Sequence, residues 1–184
     1  MQKEKDPKLV IEKLHERHIG LTAALAEMYT ESASVCLSRH HHSPVRIGVS
    51  QGVTQSAYSL DFPIPDTRTL NAYANTLDTT ENGAYGVCLA AVEAEENLFA
   101  IKRAETLTGA DWYVAPKGAP IEDMENCYRL EVSGLDAGSP VAVRARLRQK
   151  IDQTRRGASN LPAIASVVGF KELAIAIEKV EVTS

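Results

Sequence analysis

The feature that most restricts how this chain can fold is a helical stretch built of very small residues and followed directly by short strand-like runs. The helix is expected over residues 79–96, with Asp78 as its N-cap and Glu81 at the capping-box position three residues later. Gly83, Ala84, Gly86, Ala90 and Ala91 make it thin. A glycine costs about 1 kcal/mol against alanine inside a helix, so a helix that keeps two is expected to lie close against a neighbour, here a sheet. Candidate strands follow at 98–101, at 111–114 after Thr108-Gly109-Ala110, and at 128–133, closed by Gly134. A helix over 140–156 carries Val143, Leu147 and Ile151 one turn apart on its buried stripe. The run at 164–170 reads as a buried strand, and 173–180 as a final strand with helix as the alternative. The order helix-strand-strand-strand-helix-strand is that of an α/β protein.

Ahead of this core, residues 7–39 read as helix, broken near Gly20, with Leu9, Leu14, Leu21, Leu25 and Met28 in loosely helical spacing. Pro44 forbids simple continuation. The runs 45–49 and 56–62 alternate like two strands of a hairpin turning at 51–54. Pro63-Ile64-Pro65-Asp66 separates this extension, residues 1–65, from a core at 66–184, the two forming one compact unit; a short helix is expected at 67–74. The apolar positions of the N-terminal helix exceed the needs of a small core, so a second copy of the chain or a partner protein is expected against it. His15 and His18 are expected on its surface. His40, His41 and His42 point in different directions and lack ligand-spaced partners, so a loop or helix-end role is expected rather than a metal site.

The 184 residues suit one domain, and an apolar share of 44 % is enough for a sizeable core. No apolar run approaches the roughly 18 residues of a membrane span, and the charged N-terminus has no apolar stretch behind it. No membrane association is expected, and a cytoplasmic location follows by elimination. Cys36, Cys88 and Cys127 are odd in number, widely spaced and flanked by apolar residues, which predicts buried free thiols in a reducing compartment. The net charge of −4 places any affinity for nucleic acid in a local patch. Arg144, Arg146, Arg148, Lys150, Arg155 and Arg156 supply one, against Asp152 alone, and Arg144 and Arg148 are the expected backbone contacts.

Two acidic residues stand out. Asp111 opens an aromatic strand, where aspartate is disfavoured. Glu131 sits mid-strand with Arg129 and Ser133 on its face, while Tyr128, Leu130 and Val132 take the other. In Gly109-Ala110-Asp111-Trp112, Leu130-Glu131-Val132-Ser133-Gly134 and Thr80-Glu81-Asn82-Gly83-Ala84, together with the order of elements, the chain resembles the PD-(D/E)XK, or restriction-endonuclease-like, nucleases. The resemblance covers roughly the last hundred residues. It implies an α/β fold with a restriction-endonuclease-like core and an N-terminal helix and hairpin extension. It also implies Asp111, Glu131 and Glu81 as ligands of Mg²⁺ or Mn²⁺, which place a Lewis acid against a phosphodiester and activate water. Glu81 alternatively caps its helix, Asp111 a turn, and Glu131 alternatively pairs with an arginine.

The family's third-strand lysine is replaced here by Ser133, which cannot supply a positive charge. Lys150 on the following helix is the expected substitute, with Gln149 and Gln153 as lesser candidates. A Mg²⁺-dependent nuclease or nuclease-derived nucleic-acid-binding protein is the implied function, with DNA favoured over RNA and, by analogy, a place in a multi-protein defence or repair system. The alternative is a non-catalytic protein-interaction module that keeps the fold.

Overall fold

The computed structural model describes residues 6–181 apart from 107, 121, 123 and 158. Along the chain come β1 (Lys8–Leu9), a 3-10 turn (Leu14–Glu16), α1 (Ala23–Ser38), β2 (Val45–Gln51), β3 (Thr54–Leu60), α2 (Thr67–Ala72) and α3 (Thr76–Glu96). Then follow β4 (Leu98–Arg103), β5 (Trp112–Pro116), β6 (Tyr128–Leu135), α4 (Pro140–Arg156), β7 (Ala163–Gly169) and β8 (Ala174–Val180). The strands share one mixed sheet in the order β1-β3-β2-β8-β7-β6-β5-β4. β4, β5 and β6 form an antiparallel meander. After α4 crosses over, β7 lies parallel to β6, and β8 returns antiparallel to β7. The 173–180 segment is thus a strand. The N-terminal hairpin continues the same sheet, because β2 runs parallel to β8.

α3 covers one face of the sheet and α4 the other. On the α3 side, Trp112, Val114, Leu130, Val132, Ile164 and Ile175 join the main core. On the α4 side, Val143 packs on Val167 and Ala176, while Leu147 and Ile151 flank Ala163, Ala165 and Val180, as the buried stripe requires. Ser139 caps α4 by accepting from the Ala142 N–H, and Pro140 occupies the first turn, where a missing N–H costs nothing.

The thinness of α3 has a different cause from the one expected. A Cβ at Gly83 would lie 3.0 Å from the Cα and N of Ala33, and one at Gly86 would lie 3.2 Å from the Tyr29 Cβ. Both glycines therefore admit α1, not the sheet. The close approach to the sheet is made from the other partner: at Gly134 of β6 a Cβ would come within 2.6 Å of the Thr80 carbonyl oxygen. The N-cap also differs. Asn75, not Asp78, accepts from the Leu77 and Asp78 N–H groups, so the helix starts earlier and Glu81 lies outside any capping box.

The N-terminal region is only half helical. α1 begins at Ala23 behind the N-cap Thr22. Before it, β1 adds a short parallel strand beside β3, and Ile11, Leu14 and Leu21 insert into the core. Much of the apolar surface that suggested a partner is buried in the chain's own interior, Ala26, Tyr29, Ala33, Cys36 and Leu37 of α1 included, while Val10 and Ile19 stay exposed. His18, expected at the surface, is fully buried. Its Nδ1 accepts from the Ala100 N–H at 2.9 Å and its Nε2 stands 3.0 Å from Glu93, which fixes the ring proton on Nε2. Burial pushes the Glu93 carboxyl up, but hydrogen bonds from His18 and Arg17 prevail and hold it below the usual carboxylate range. The Gly20 N–H donates to the Ala100 carbonyl at 2.9 Å, so both polar groups of that residue on β4 are met by the 18–20 loop. All three cysteines are buried, and none is in a disulfide among the described residues. Among the described residues no helix is long and apolar enough to cross a membrane.

The Gly134 contact gives a direct check on the packing of α3. Gly134→Ala drives a methyl into backbone and is expected to cost about 2–3 kcal/mol. Gly48→Ala, whose Cβ meets nothing nearer than 3.9 Å, is expected to stay within about 0.5 kcal/mol of the parent. Urea midpoints of the two variants measure the difference.

Candidate active site

The pairing of β5 with β6 runs from Val114↔Tyr128 to Trp112↔Leu130, and from there β6 pairs only with β7. Asp111 sits at this fork. Its N–H donates to the Leu130 carbonyl at 2.8 Å, and its own carbonyl accepts from the Ala104 N–H at 3.0 Å. Its side chain then turns into the opening, where Oδ2 accepts from the Val132 N–H at 2.8 Å. The carboxylate thus takes a ladder donor that β5 has abandoned. An aspartate suits the end of a strand for this reason: a short acceptor side chain can satisfy backbone N–H groups where the ladder stops.

Glu131 lies across the fork and is 3 % exposed. Its face is the one covered by α4, and Lys150 Nζ donates to its Oε1 at 2.7 Å and to Gln153 Oε1 at 3.2 Å. The ion-pair partner of Glu131 is therefore this lysine rather than an arginine. Arg129, on the same face, is spent on carbonyls: Nε donates to Leu161 and Nη1 to Thr108 and Thr154. Burial pushes the Glu131 carboxyl above its ordinary range, the negative charge of Asp111 adds to this, and Lys150 and Arg103 oppose it without cancelling it.

Glu81 reaches the fork through Tyr85, one helical turn away on α3. The Tyr85 hydroxyl stands 2.9 Å from Glu81 Oε1 and 2.9 Å from Asp111 Oδ1, and accepts from Arg103 Nη2 at 2.9 Å. One hydroxyl proton thus faces two carboxylates, leaving the cluster short of positive charge. Burial first, and then Asp111, push the Tyr85 hydroxyl strongly upward, so it remains a protonated donor. The Arg103 guanidinium lies 4.4 Å over the Tyr85 ring, 5.2 Å over Trp112, and 3.7 Å from Asp111 Oδ1. Sequence reading missed Tyr85 and Arg103. The spacing of Glu81 and Tyr85 was a usable signal; the position of Arg103 at the far end of β4 was not.

Among the described residues no three His, Cys, Asp or Glu side chains stand close enough together to hold a metal ion. The three-carboxylate arrangement is thus two carboxylates, Asp111 and Glu131, with Glu81 one hydroxyl removed. Two carboxylates suit Mg²⁺ or Mn²⁺, which commonly take one or two from the protein and fill the remaining positions with water and phosphate oxygens.

At about 100° per residue, α4 presents Arg146, Lys150 and Gln153 on one flank and Arg144, Arg148 and Arg155 on the other. Lys150 reaches β6 and Ile151 packs toward Val180 of β8. Arg146 is therefore on the side of the carboxylates, and the expected pair Arg144 and Arg148 is on the far side, exposed. The histidines lie elsewhere: His40 is 3.5 Å from Asp136, and His41 meets the Phe170 and Lys171 carbonyls.

A raised Glu131 means that the folded chain binds this proton more tightly than the unfolded chain. Stability from this group is lost as pH rises from the ordinary carboxylate range through the raised value. The stability of Glu131→Gln relative to the parent should accordingly improve as pH rises over that window, whatever its offset at acid pH. Urea unfolding of both proteins across acid to neutral pH measures this; a constant difference would show that Glu131 titrates normally.

Set against known proteins, the chain matches no family model, no curated protein and no solved structure.

Proposed function

We propose that this chain is a divalent-metal-dependent phosphodiesterase acting on nucleic acid, with Asp111 and Glu131 as metal ligands and Lys150 in the role of the missing third-strand lysine. The observation that carries this reading is the fork between β5 and β6, which sets two carboxylates and a lysine 2.7 Å from one of them at the open end of a strand pair. The antiparallel meander followed by a helical crossover to a parallel strand agrees with a restriction-endonuclease-like core. A bound Mg²⁺ or Mn²⁺ supplies Lewis acidity toward the phosphoryl group and lowers the pKa of water. Asp111 is held in place by the Val132 N–H and Tyr85. Lys150 balances Glu131 and would supply the ammonium group that an attacking water or a developing negative charge needs. Arg146, on the same flank, is the arginine best placed to meet the sugar-phosphate backbone, with Arg144 and Arg148 serving a strand that wraps the outer side of α4.

Two observations favour the second reading, a non-catalytic interaction module: Lys150 is already paired with Glu131, and Glu81 is bound up with Tyr85. Incubation with plasmid, single-stranded DNA and RNA in Mg²⁺ and Mn²⁺ separates the two. Cleavage is expected, reduced about a hundredfold or more in Asp111→Asn and Glu131→Gln. Mn²⁺ should also raise the melting temperature of the parent and of the control Glu122→Gln, but not that of Asp111→Asn. Absence of both cleavage and metal stabilisation would leave the interaction module. For the interface, Arg146→Ala should lower the slope of log affinity against log salt by about 1. A larger loss per residue in the Arg144→Ala/Arg148→Ala double variant would move the backbone to the outer flank.

A further inference from the structure

We infer that Arg103 is the residue that grips the phosphoryl oxygens of the substrate, an assignment that rests on the phosphodiesterase reading above and names the anion-binding half of the same site. Four observations converge on it. Arg103 ends β4 directly beside Trp112, in register with it across the strand pair. Its guanidinium lies over Tyr85 at 4.4 Å and Trp112 at 5.2 Å, contacts that restrain it before any ligand arrives. Among the described residues Tyr85 Oη is its hydrogen-bond acceptor; Asp111 Oδ1, at 3.7 Å, is an electrostatic neighbour beyond hydrogen-bond reach. The side chain is 45 % exposed, so a ligand can reach it beside the fork between β5 and β6.

Charge balance makes the assignment specific. Glu81, Asp111 and Glu131 bring three negative charges, and Arg103 and Lys150 two positive ones. The cluster therefore carries one net negative charge when all are ionised. One divalent cation and one phosphodiester bring it to neutrality. Lys150 is committed to Glu131 on the α4 side, so Arg103 is the cation of the cluster with open donors for an incoming anion. A guanidinium offers two parallel N–H groups that match two phosphate oxygens, which an ammonium cannot. A purely structural Arg103 would only cap the Tyr85 and Trp112 rings and balance Asp111.

The test uses the full chain as parent, Arg103→Met, Arg103→Lys and Asp111→Asn. Trp112 is the single tryptophan, so its fluorescence reports on the guanidinium above it. A short single-stranded oligodeoxynucleotide is titrated with and without Mn²⁺ while fluorescence is followed, and Mn²⁺ affinity, kcat and KM are measured separately. Arg103→Met is expected to weaken oligonucleotide binding about ten- to a hundredfold and to lower kcat. Its Mn²⁺ affinity should be unchanged or tighter, because a positive charge has left the neighbourhood of Asp111. Arg103→Lys, which keeps charge without the fork, should recover part of the affinity and serves if the methionine variant fails to fold. Parent-like oligonucleotide affinity, kcat and KM in Arg103→Met, with Mn²⁺ binding abolished in Asp111→Asn, would overturn the inference and leave the proposed function standing. Oligonucleotide binding that depends on Arg103 without Mn²⁺ binding or cleavage would sink the phosphodiesterase reading and keep the anion site. No oligonucleotide binding by the parent at low salt would overturn the inference outright.

Discussion

The hydrogen bond from the Val132 N–H to the Asp111 carboxylate is the interaction on which the site turns. It stands where a ladder bond between β5 and β6 would otherwise continue, and it lets the two strands part without leaving a buried donor unpaired. Everything chemical in the cluster is reached through that parting. Glu131 and Lys150 come from the α4 side and Glu81, Tyr85 and Arg103 from the α3 side, and Asp111 is the residue at which they meet. Were β5 to go on pairing, the sheet would separate these groups into two unconnected layers.

Burial then gives the fork its electrical character. Glu131 is nearly inaccessible and its charge is costly, which is why Lys150 lies against it and why its carboxyl stays above the ordinary range even so. Tyr85 is held between two carboxylates and steadied by a guanidinium. With its three carboxylates and two cations all ionised, such a cluster carries one net negative charge. A simple two-member ion pair, by contrast, is closed on itself, as Lys8 with Asp61 shows at 2.9 Å elsewhere in the chain.

How far the sequence revealed this depended on how local each signal was. α4 was legible from end to end, because the Val143-Leu147-Ile151 stripe is a cue within one segment. Seven of the eight strands were legible from alternation, apolar runs and turn residues, although β5 begins one residue after Asp111; β1 lies in a stretch that reads as helix. Asp111 and Glu131 were visible as anomalies of placement, Lys150 was expected only through the resemblance as the substitute for the missing third-strand lysine, and the structure sets Lys150 against Glu131. The partners of the glycines were not legible. A glycine announces a close approach but not to what, and the neighbour of Gly83 is Ala33, 50 positions away in sequence. His18 was misread because a charged, histidine-rich stretch resembles a solvated helix, whereas its ring is satisfied only by Glu93 and Ala100, far along the chain. Arg103 was invisible for the same reason: its role comes from two aromatic rings that pairing and packing, not sequence spacing, put beside it.

The loop carrying His18 and Gly20 has a consequence for how this molecule behaves among its own kind. β4 is the last strand of the sheet, and a bare border strand is a template on which another chain can crystallise its own backbone. At Ala100 that template is already occupied, the imidazole receiving the amide and Gly20 supplying the donor, with no room for even a methyl group at Gly20 against the Ile101 backbone. A single irregular loop thus plays the part of a ninth strand too short to propagate, and at Ala100 it blocks the border nearest the carboxylate cluster against pairing with another chain.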